Sequence, residues 1–484
     1  RRGGNAVDAA VAAALALTVV EPTGNGIGSD AFAFVWDGGA LHAFNGSGRS
    51  PRAWTPERFA SFARMPELGW DAVTVPGAVD AWARLSKRFG RLPFPDLFKE
   101  AIACARDGFE VTPHIAAGWA RAPARYGGFP EFARIFLPAP KPGARFRCPA
   151  LAETLEAIAA TGGESLYRGD LARRIAESAR AEGGAMTLED LQAHRGEWVT
   201  PLSQPFEGIR LHELPPNTQG LAVLVALGLM ARLPRRPVDS PEGLHLQVEA
   251  MRAGFEVARR RVADPGSLDA DPASFLEAYA LDRLASGISE GRASAAAALP
   301  AGPDTVCLAA ADAEGRMVSF IQSNYMGFGS GVVIPGTGIS LQNRGCGFTL
   351  EPGHPNRVAG GKRPFHTLLP GFVTEGAEPA MTFAVMGGPF QPQGHLQMLL
   401  RVFGEGQDPQ AASDAPRWSL LEDGRVALEE GMDPALGEGL RRRGHVLWEQ
   451  APARLFGGAQ LIQRREAGYR AGSDRRKDGF ASGI

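Results

Sequence analysis

The stretch Asp304-Thr305-Val306-Cys307-Leu308-Ala309-Ala310-Ala311-Asp312-Ala313-Glu314-Gly315, continued by Met317 to Gln322 and Ser323, decides how the rest of the chain is read. Val306 to Ala311 is short and apolar, Asp312 to Gly315 has turn composition, and Met317 to Gln322 is a second apolar run, so the pattern predicts a β-hairpin. Closing it sets Thr305 at the open end and returns Ser323 beside it. A threonine hydroxyl is a weak nucleophile without an adjoining base, and a threonine that opens a chain carries that base in its own α-amine. Such an amine titrates at about 7.7 to 8.0 in model peptides, so part of it is unprotonated at neutral pH. Thr305 is therefore the expected nucleophile, and the Ser323 hydroxyl is expected to hydrogen-bond and orient its freed amine. The bond between Asp304 and Thr305 must be cut first.

Thr305, Ser323 and Phe328-Gly329-Ser330-Gly331, with Gly361-Lys362-Arg363-Pro364, Asp414-Ala415-Pro416-Arg417 and the first fifty residues, resemble the γ-glutamyltransferases (γ-glutamyltranspeptidases) of the N-terminal-nucleophile hydrolases. In that family a threonine opens the small subunit, a strand-turn-strand follows, a second threonine supports the nucleophile, and a Phe-Gly-x-Gly loop comes after. The resemblance implies an α+β fold, the four-layer αββα sandwich. It also implies self-cleavage into a large subunit, 1–304, and a small subunit, 305–484, that together form one αββα unit, and acyl-enzyme chemistry with no cofactor and no metal. Composition alone supports only a mixed α and β globular protein.

With 484 residues, 44% hydrophobic and 21% charged, the chain is long enough for one large or two modest domains. A net charge of -2 offers no electrostatic footprint for nucleic acid or an anionic membrane. Arg259-Arg260-Arg261 and Arg441-Arg442-Arg443 lie near acidic residues and read as solvated helix faces. Cys104 and Cys307 sit in apolar runs and read as small core residues, and Cys346 reads as an incidental loop thiol. With Cys148 they show neither metal-ligand spacing nor a disulfide framework. No run of about 18 apolar residues occurs, so no membrane span is expected. The chain opens at Arg1, not at a methionine, which leaves a leader open; a cytoplasmic location is expected, with periplasmic or secreted ones as alternatives.

Asn5 to Val20 reads as a buried helix that ends in the glycine-rich loop Glu21 to Asp30. Ala31 to Trp36 and Ala40 to Phe44 form a hairpin across Asp37-Gly38-Gly39, and Asp71 to Arg84 is a scaffolding turn into a helix. Residues 85–282 read as mostly helical, clearest at Pro149 to Ala160 and Glu242 to Arg261, with Leu214 to Gly220 as a loop before a buried helix. His245 and Glu249 share a helix face at i and i+4; no third ligand follows, so a hydrogen bond is expected there and not a metal. Residues 285–303 have few large apolar groups and are expected to form a mobile linker before the scissile bond. Val426 to Leu428 and Ala459 to Gln463 read as strands that complete the sheet and add no chemistry.

The resemblance assigns further residues and meets departures. It implies that the glycine loop before Asp30 faces the site. A family arginine near Asn45 to Pro51 holds the substrate's α-carboxylate, a task suited to a guanidinium fork; Arg49 is the candidate, though it lies two residues closer to the shared proline, and a surface arginine is the other reading. Tyr325 stands where the family has asparagine. Arg344-Gly345-Cys346-Gly347-Phe348 replaces a segment with paired aspartates, and the aspartate that holds the substrate's α-ammonium falls on Gly347. His366 and Thr367 replace paired serines, and with Arg344 they suit an acid-binding pocket; a second-shell histidine is equally open. Met386 to Gln393 resembles the oxyanion loop, with Gly387, Gly388, Phe390 and Gln391 as its candidates and Gln393 as a further pocket residue.

The expected function is thus a self-processing threonine amidohydrolase or acyltransferase on γ-glutamyl (glutathione-like) or glutaryl-like amides, with hydrolysis favoured. Its partners are a small-molecule amide substrate and the two subunits of one precursor, and a homodimer of processed heterodimers is left open. The alternative is an uncleaved, non-catalytic relative that binds a small acid or a protein.

Overall fold

The computed structural model describes residues 3–294 and 305–483. Two compact units divide the chain, Arg1–Trp198 with Pro303–His366 and Val199–Gly302 with Thr367–Ile484. Each draws on residues from both sides of Thr305, so the two expected subunits interleave within both units.

The first unit is built on a five-stranded sheet in the order Glu197–Val199, Leu41–Asn45, Asp30–Trp36, Met317–Ser323, Val306–Ala311. The expected hairpin is present: Val306 pairs with Gln322 and Ala311 with Met317 in an antiparallel ladder. The second expected hairpin is also present, with Trp36 opposite Leu41. Asp30–Trp36 lies between two partners and is buried along its whole length, as expected of a strand that is apolar on both faces.

Helix Ala6–Val20 packs on this sheet and is started by Asn5, whose side chain accepts from Val7 and Asp8 while Asp8 returns a bond to the Asn5 amide. Such a capping box contributes about 1 kcal/mol. Asp312, in the turn of the Thr305 hairpin, accepts the Ala6 amide at 3.0 Å, so the turn also caps the helix. Val11, Ala14 and Leu15 are fully buried on the sheet, each large one contributing roughly 1.5–3 kcal/mol.

The second unit carries a six-stranded sheet in the order Gly468–Ser473, Gly458–Arg465, Glu378–Met386, Pro370–Glu375, Ile209–Glu213, Leu202–Phe206. Helix Gly220–Met230 is buried, and helix Pro241–Arg261 packs against it. Residues 85–282 are mostly helical, as expected, with the strands Leu202–Phe206 and Ile209–Glu213 set within that span. Ile209, Leu211 and Glu213 are buried while Arg210 is exposed, a period of two.

Val426–Glu429 also departs from expectation, since it joins Trp418–Leu420 and Leu447–Ala451 in a separate three-stranded sheet. Arg443 is not on a solvated face. It is 16% exposed, pairs with Glu242 at 2.5 Å, and its carbonyl takes the Ala293 amide at 2.7 Å. With the Ser294 amide on Glu249 at 2.9 Å, this tethers residues expected to be loose. The remaining linker residues, 295–303, lie outside the described residues, as does Asp304. Among the described residues no helix is long and apolar enough to cross a membrane.

Candidate active site

The ladder that pairs Val306 with Gln322 brings Thr305 opposite Ser323. Thr305 Oγ1 donates to Ser323 Oγ at 3.2 Å, and the Tyr325 amide donates to the same oxygen at 2.7 Å. Both hydroxyls are buried, Thr305 at 3% exposure. Ser323 thus has a fixed orientation, set by backbone, from which it holds the threonine hydroxyl.

Tyr325 turns the chain with a φ of 75°, unusual for a bulky side chain. Its ring lies 4.2 Å from the Arg344 guanidinium carbon, within cation–π range. Arg344 is buried, and desolvation lowers its pKa to about 10.

The residue missed by sequence reasoning is Asp30. Ser323 faces it across the central ladder. Its Oδ1 accepts the Gly48 amide at 3.2 Å and the Gly77 amide at 3.1 Å, and its Oδ2 lies 3.1 Å from His366 Nε2. Gly48 must be glycine for this approach, because a Cβ there would lie 1.6 Å from the Val75 carbonyl oxygen. The turn at Gly77 is therefore more than scaffolding. Burial raises the Asp30 pKa to about 7 against the opposing pull of Arg344, and burial pushes His366 well below its ordinary value. That direction favours the neutral imidazole of His366 at neutral pH. The only sequence signal for Asp30 was a carboxylate at the head of an apolar strand, where charged groups are rarely buried unpaired.

The α-ammonium ligand of the resemblance is absent for a steric reason. A Cβ on Gly347 would meet the Phe365 carbonyl oxygen at 2.5 Å, so no aspartate fits. Arg49 lies apart from the buried cluster: it donates to the Gly361 carbonyl at 3.0 Å and pairs at 3.4 Å with Glu197, both side chains nearly half exposed. Glu197 also holds Arg363 at 2.9 Å. Burial pushes the Cys346 thiol up to about 12, so it is no nucleophile at neutral pH.

The remaining candidates belong to the second unit. Gly387 and Gly388 have φ of 130° and 58°, conformations that favour glycine. Their carbonyls accept the Phe390 and Gln391 amides, and Gln219 Nε2 donates to Gly388 at 3.0 Å and to the Thr367 carbonyl at 2.7 Å. Gln391 Oε1 takes the Leu369 amide at 2.8 Å. Gln393 instead ties the loop to the strand at Leu420, accepting its amide at 2.6 Å. These bonds fix the loop from both sides.

The expectation that no third ligand accompanies His245 and Glu249 is overturned. His445 joins them, and one donor atom from each lies within 4.8 Å of the others. The C-terminal part therefore contributes a histidine to a buried cluster.

A hairpin that opens on a threonine held by a serine hydroxyl, within a mixed α and β scaffold, has the build of an N-terminal-nucleophile hydrolase. The chain belongs to the gamma-glutamyltranspeptidase family, whose model matches residues 1–484. It is 38% identical to the oxamate amidohydrolase proenzyme of Klebsiella pneumoniae, over 100% of this chain and 95% of that protein. With the glutathione hydrolase-like YwrD proenzyme of Bacillus subtilis it shares 36% identity over the same fractions. Among solved structures it resembles a cephalosporin acylase from Bacillus halodurans, with a TM-score of 0.95 and 43% identity over 99% of this chain and 91% of that one. The protein is an enzyme of the γ-glutamyltransferase-like hydrolase type.

Proposed function

We propose that this protein is a self-processing N-terminal threonine amidohydrolase that cleaves amides of small acids of the γ-glutamyl or glutaryl kind. The observation that carries the reading is the 3.2 Å bond between the Thr305 and Ser323 hydroxyls at the head of the hairpin. Cleavage after Asp304 frees the Thr305 α-amine, and the chain becomes a large subunit ending at 304 and a small one starting at 305. The four-layer αββα sandwich is part of this proposal.

In the reaction the α-amine takes the Thr305 hydroxyl proton as Oγ1 attacks the amide carbon. By its resemblance to the family's oxyanion loop, the segment of Gly387 and Gly388 is the candidate source of amides for the oxyanion; one such donor is worth roughly 3 to 4 kcal/mol in other acyl-transfer enzymes. The proton passes to the leaving amine, and water then releases the acid from the threonine ester. Hydrolysis is favoured over transfer because position 347 has no room for the carboxylate that would hold a free α-amine. Relatives named as an amidohydrolase and an acylase support that balance. Arg344 supplies positive potential for an acid group, with Tyr325, His366 and Thr367 as pocket residues. Arg49 is a carboxylate candidate by resemblance alone; giving up its exposed pairing with Glu197 would cost only about 0–1 kcal/mol.

Intact mass spectrometry with N-terminal sequencing tests the reading. Pieces of roughly 32 and 19 kDa, the smaller beginning Thr-Val-Cys-Leu, are expected from the 51.3 kDa chain. Hydrolysis of γ-glutamyl and glutaryl anilides should follow, with little gain from an acceptor dipeptide. A single uncleaved species, or a Thr305→Ala variant that still hydrolyses amides, would overturn the proposal.

A further inference from the structure

His245 and Glu249 lie one turn apart on helix Pro241–Arg261, and His445 follows helix Pro434–Arg442. The fold brings them together in the second unit. His245 Nδ1 is 2.8 Å from His445 Nε2, which is 4.0 Å from Glu249 Oε1. Exposure is 0% for His245, 1% for Glu249 and 5% for His445, so the cluster is sealed from bulk water.

The outer contacts set the direction of the donors. The Ser289 carbonyl lies 2.7 Å from His245 Nε2. A carbonyl can only accept, so Nε2 carries the hydrogen and Nδ1 turns its lone pair to the cluster. The Ser294 amide donates to Glu249 Oε2 at 2.9 Å, leaving Oε1 on the cluster side. A backbone carbonyl fixing the tautomer of one imidazole and a hydrogen bond on the carboxylate's other oxygen are the supports that metal ligands receive in proteins.

We propose that His245 Nδ1, His445 Nε2 and Glu249 Oε1 form a binding site for a divalent transition-metal ion of the zinc class. Two imidazole nitrogens and one carboxylate oxygen are a zinc donor set, whereas magnesium and calcium prefer oxygen alone. Zinc bonds of about 2.0–2.1 Å hold two nitrogens near 3.3 Å apart in a tetrahedron, so the imidazoles need separate by only about half an ångström. His445 then moves its hydrogen from Nε2 to Nδ1, a buried atom with no hydrogen-bond partner among the described residues. No net proton is released.

Arg252 is the opposing group. Its Nε lies 3.4 Å from Glu249 Oε1 and must yield to an incoming cation. The site would brace Ser289 and Ser294 through the two hydrogen bonds they make to His245 and Glu249.

The test is zinc titration of the chelator-stripped, full-length protein by calorimetry, with metal content measured after dialysis. One ion per chain is expected, with affinity lowered at least about a hundredfold in His445→Ala or Glu249→Gln and raised in Arg252→Gln. Cobalt(II) added to His445→Cys should show a thiolate charge-transfer band, which keeps the test open should the alanine variant misfold. Absence of saturable binding to the wild type, or zinc binding unchanged in all of these variants, would overturn the proposal.

Discussion

His366 Nε2 lies 3.1 Å from Asp30 Oδ2, and both side chains are fully buried. Burial raises the Asp30 pKa from 3.8 to about 7 and lowers that of His366 from 6.5. Between roughly pH 4 and 6.5 the folded pair holds one proton on Asp30, while the unfolded chain holds one on the histidine. Proton counts match, so this pair adds almost no pH dependence to wild-type stability in that window.

Single variants should expose the two hidden slopes. In His366→Gln only Asp30 remains: its folded state keeps a proton that the unfolded state releases, so stability falls as pH rises from about 4 to 7, by on the order of 4 kcal/mol. In Asp30→Asn only His366 remains, and stability falls as pH drops below 6.5. Thermal unfolding at pH 5 and pH 7 distinguishes them, and parallel curves for the two variants would refute the paired account.

Ser323 should matter to rate more than to binding. Its hydroxyl is held by the Tyr325 amide and takes the Thr305 hydroxyl. Ser323→Ala removes a bond worth roughly 1.5–3 kcal/mol next to a charge-developing centre, a loss in kcat of about 10- to 150-fold. KM should stay close to wild type, and self-cleavage should slow in the same variant. Steady-state kinetics on processed enzyme check this.

Restoring the aspartate at position 347 should not restore amine recognition. The Cβ of Gly347→Asp would stand 2.5 Å from the Phe365 carbonyl, and the backbone must shift. Overpacking of this kind costs about 1–3 kcal/mol. The expected result is a lower Tm with no rise in the ratio of transfer to hydrolysis. A variant that gained transpeptidation at unchanged Tm would contradict the steric account.

The Asp414-Ala415-Pro416-Arg417 motif has a structural consequence of its own. Arg417 and Asp474 are both wholly buried and pair at 2.5 Å, and Asp474 also accepts the Ala459 amide at 2.8 Å. Asp474→Asn leaves the guanidinium buried without its counter-charge, a loss of roughly 3–5 kcal/mol. A urea midpoint lowered by that loss divided by the m-value is the expected outcome, and an unchanged midpoint would show that the pair is dispensable.

Local pattern alone determined the Thr305 hairpin, the helix from Asn5, the strands after Asp30 and the pairing of Thr305 with Ser323, because contacts between chain neighbours across a short turn are written in residue spacing. The helical reading of 85–282 missed Leu202–Phe206 and Ile209–Glu213 because short strands with a polar neighbour carry little periodic signal. Only tertiary structure could place Asp30 against His366, which is 336 residues away, or join His445 to His245 across 200 residues. It likewise decided that Arg49 faces Glu197 and that a backbone carbonyl fills the space an aspartate would need at 347. Those facts depend on burial and on close approach of distant backbone, and neither burial nor approach has a signature in residues read one stretch at a time.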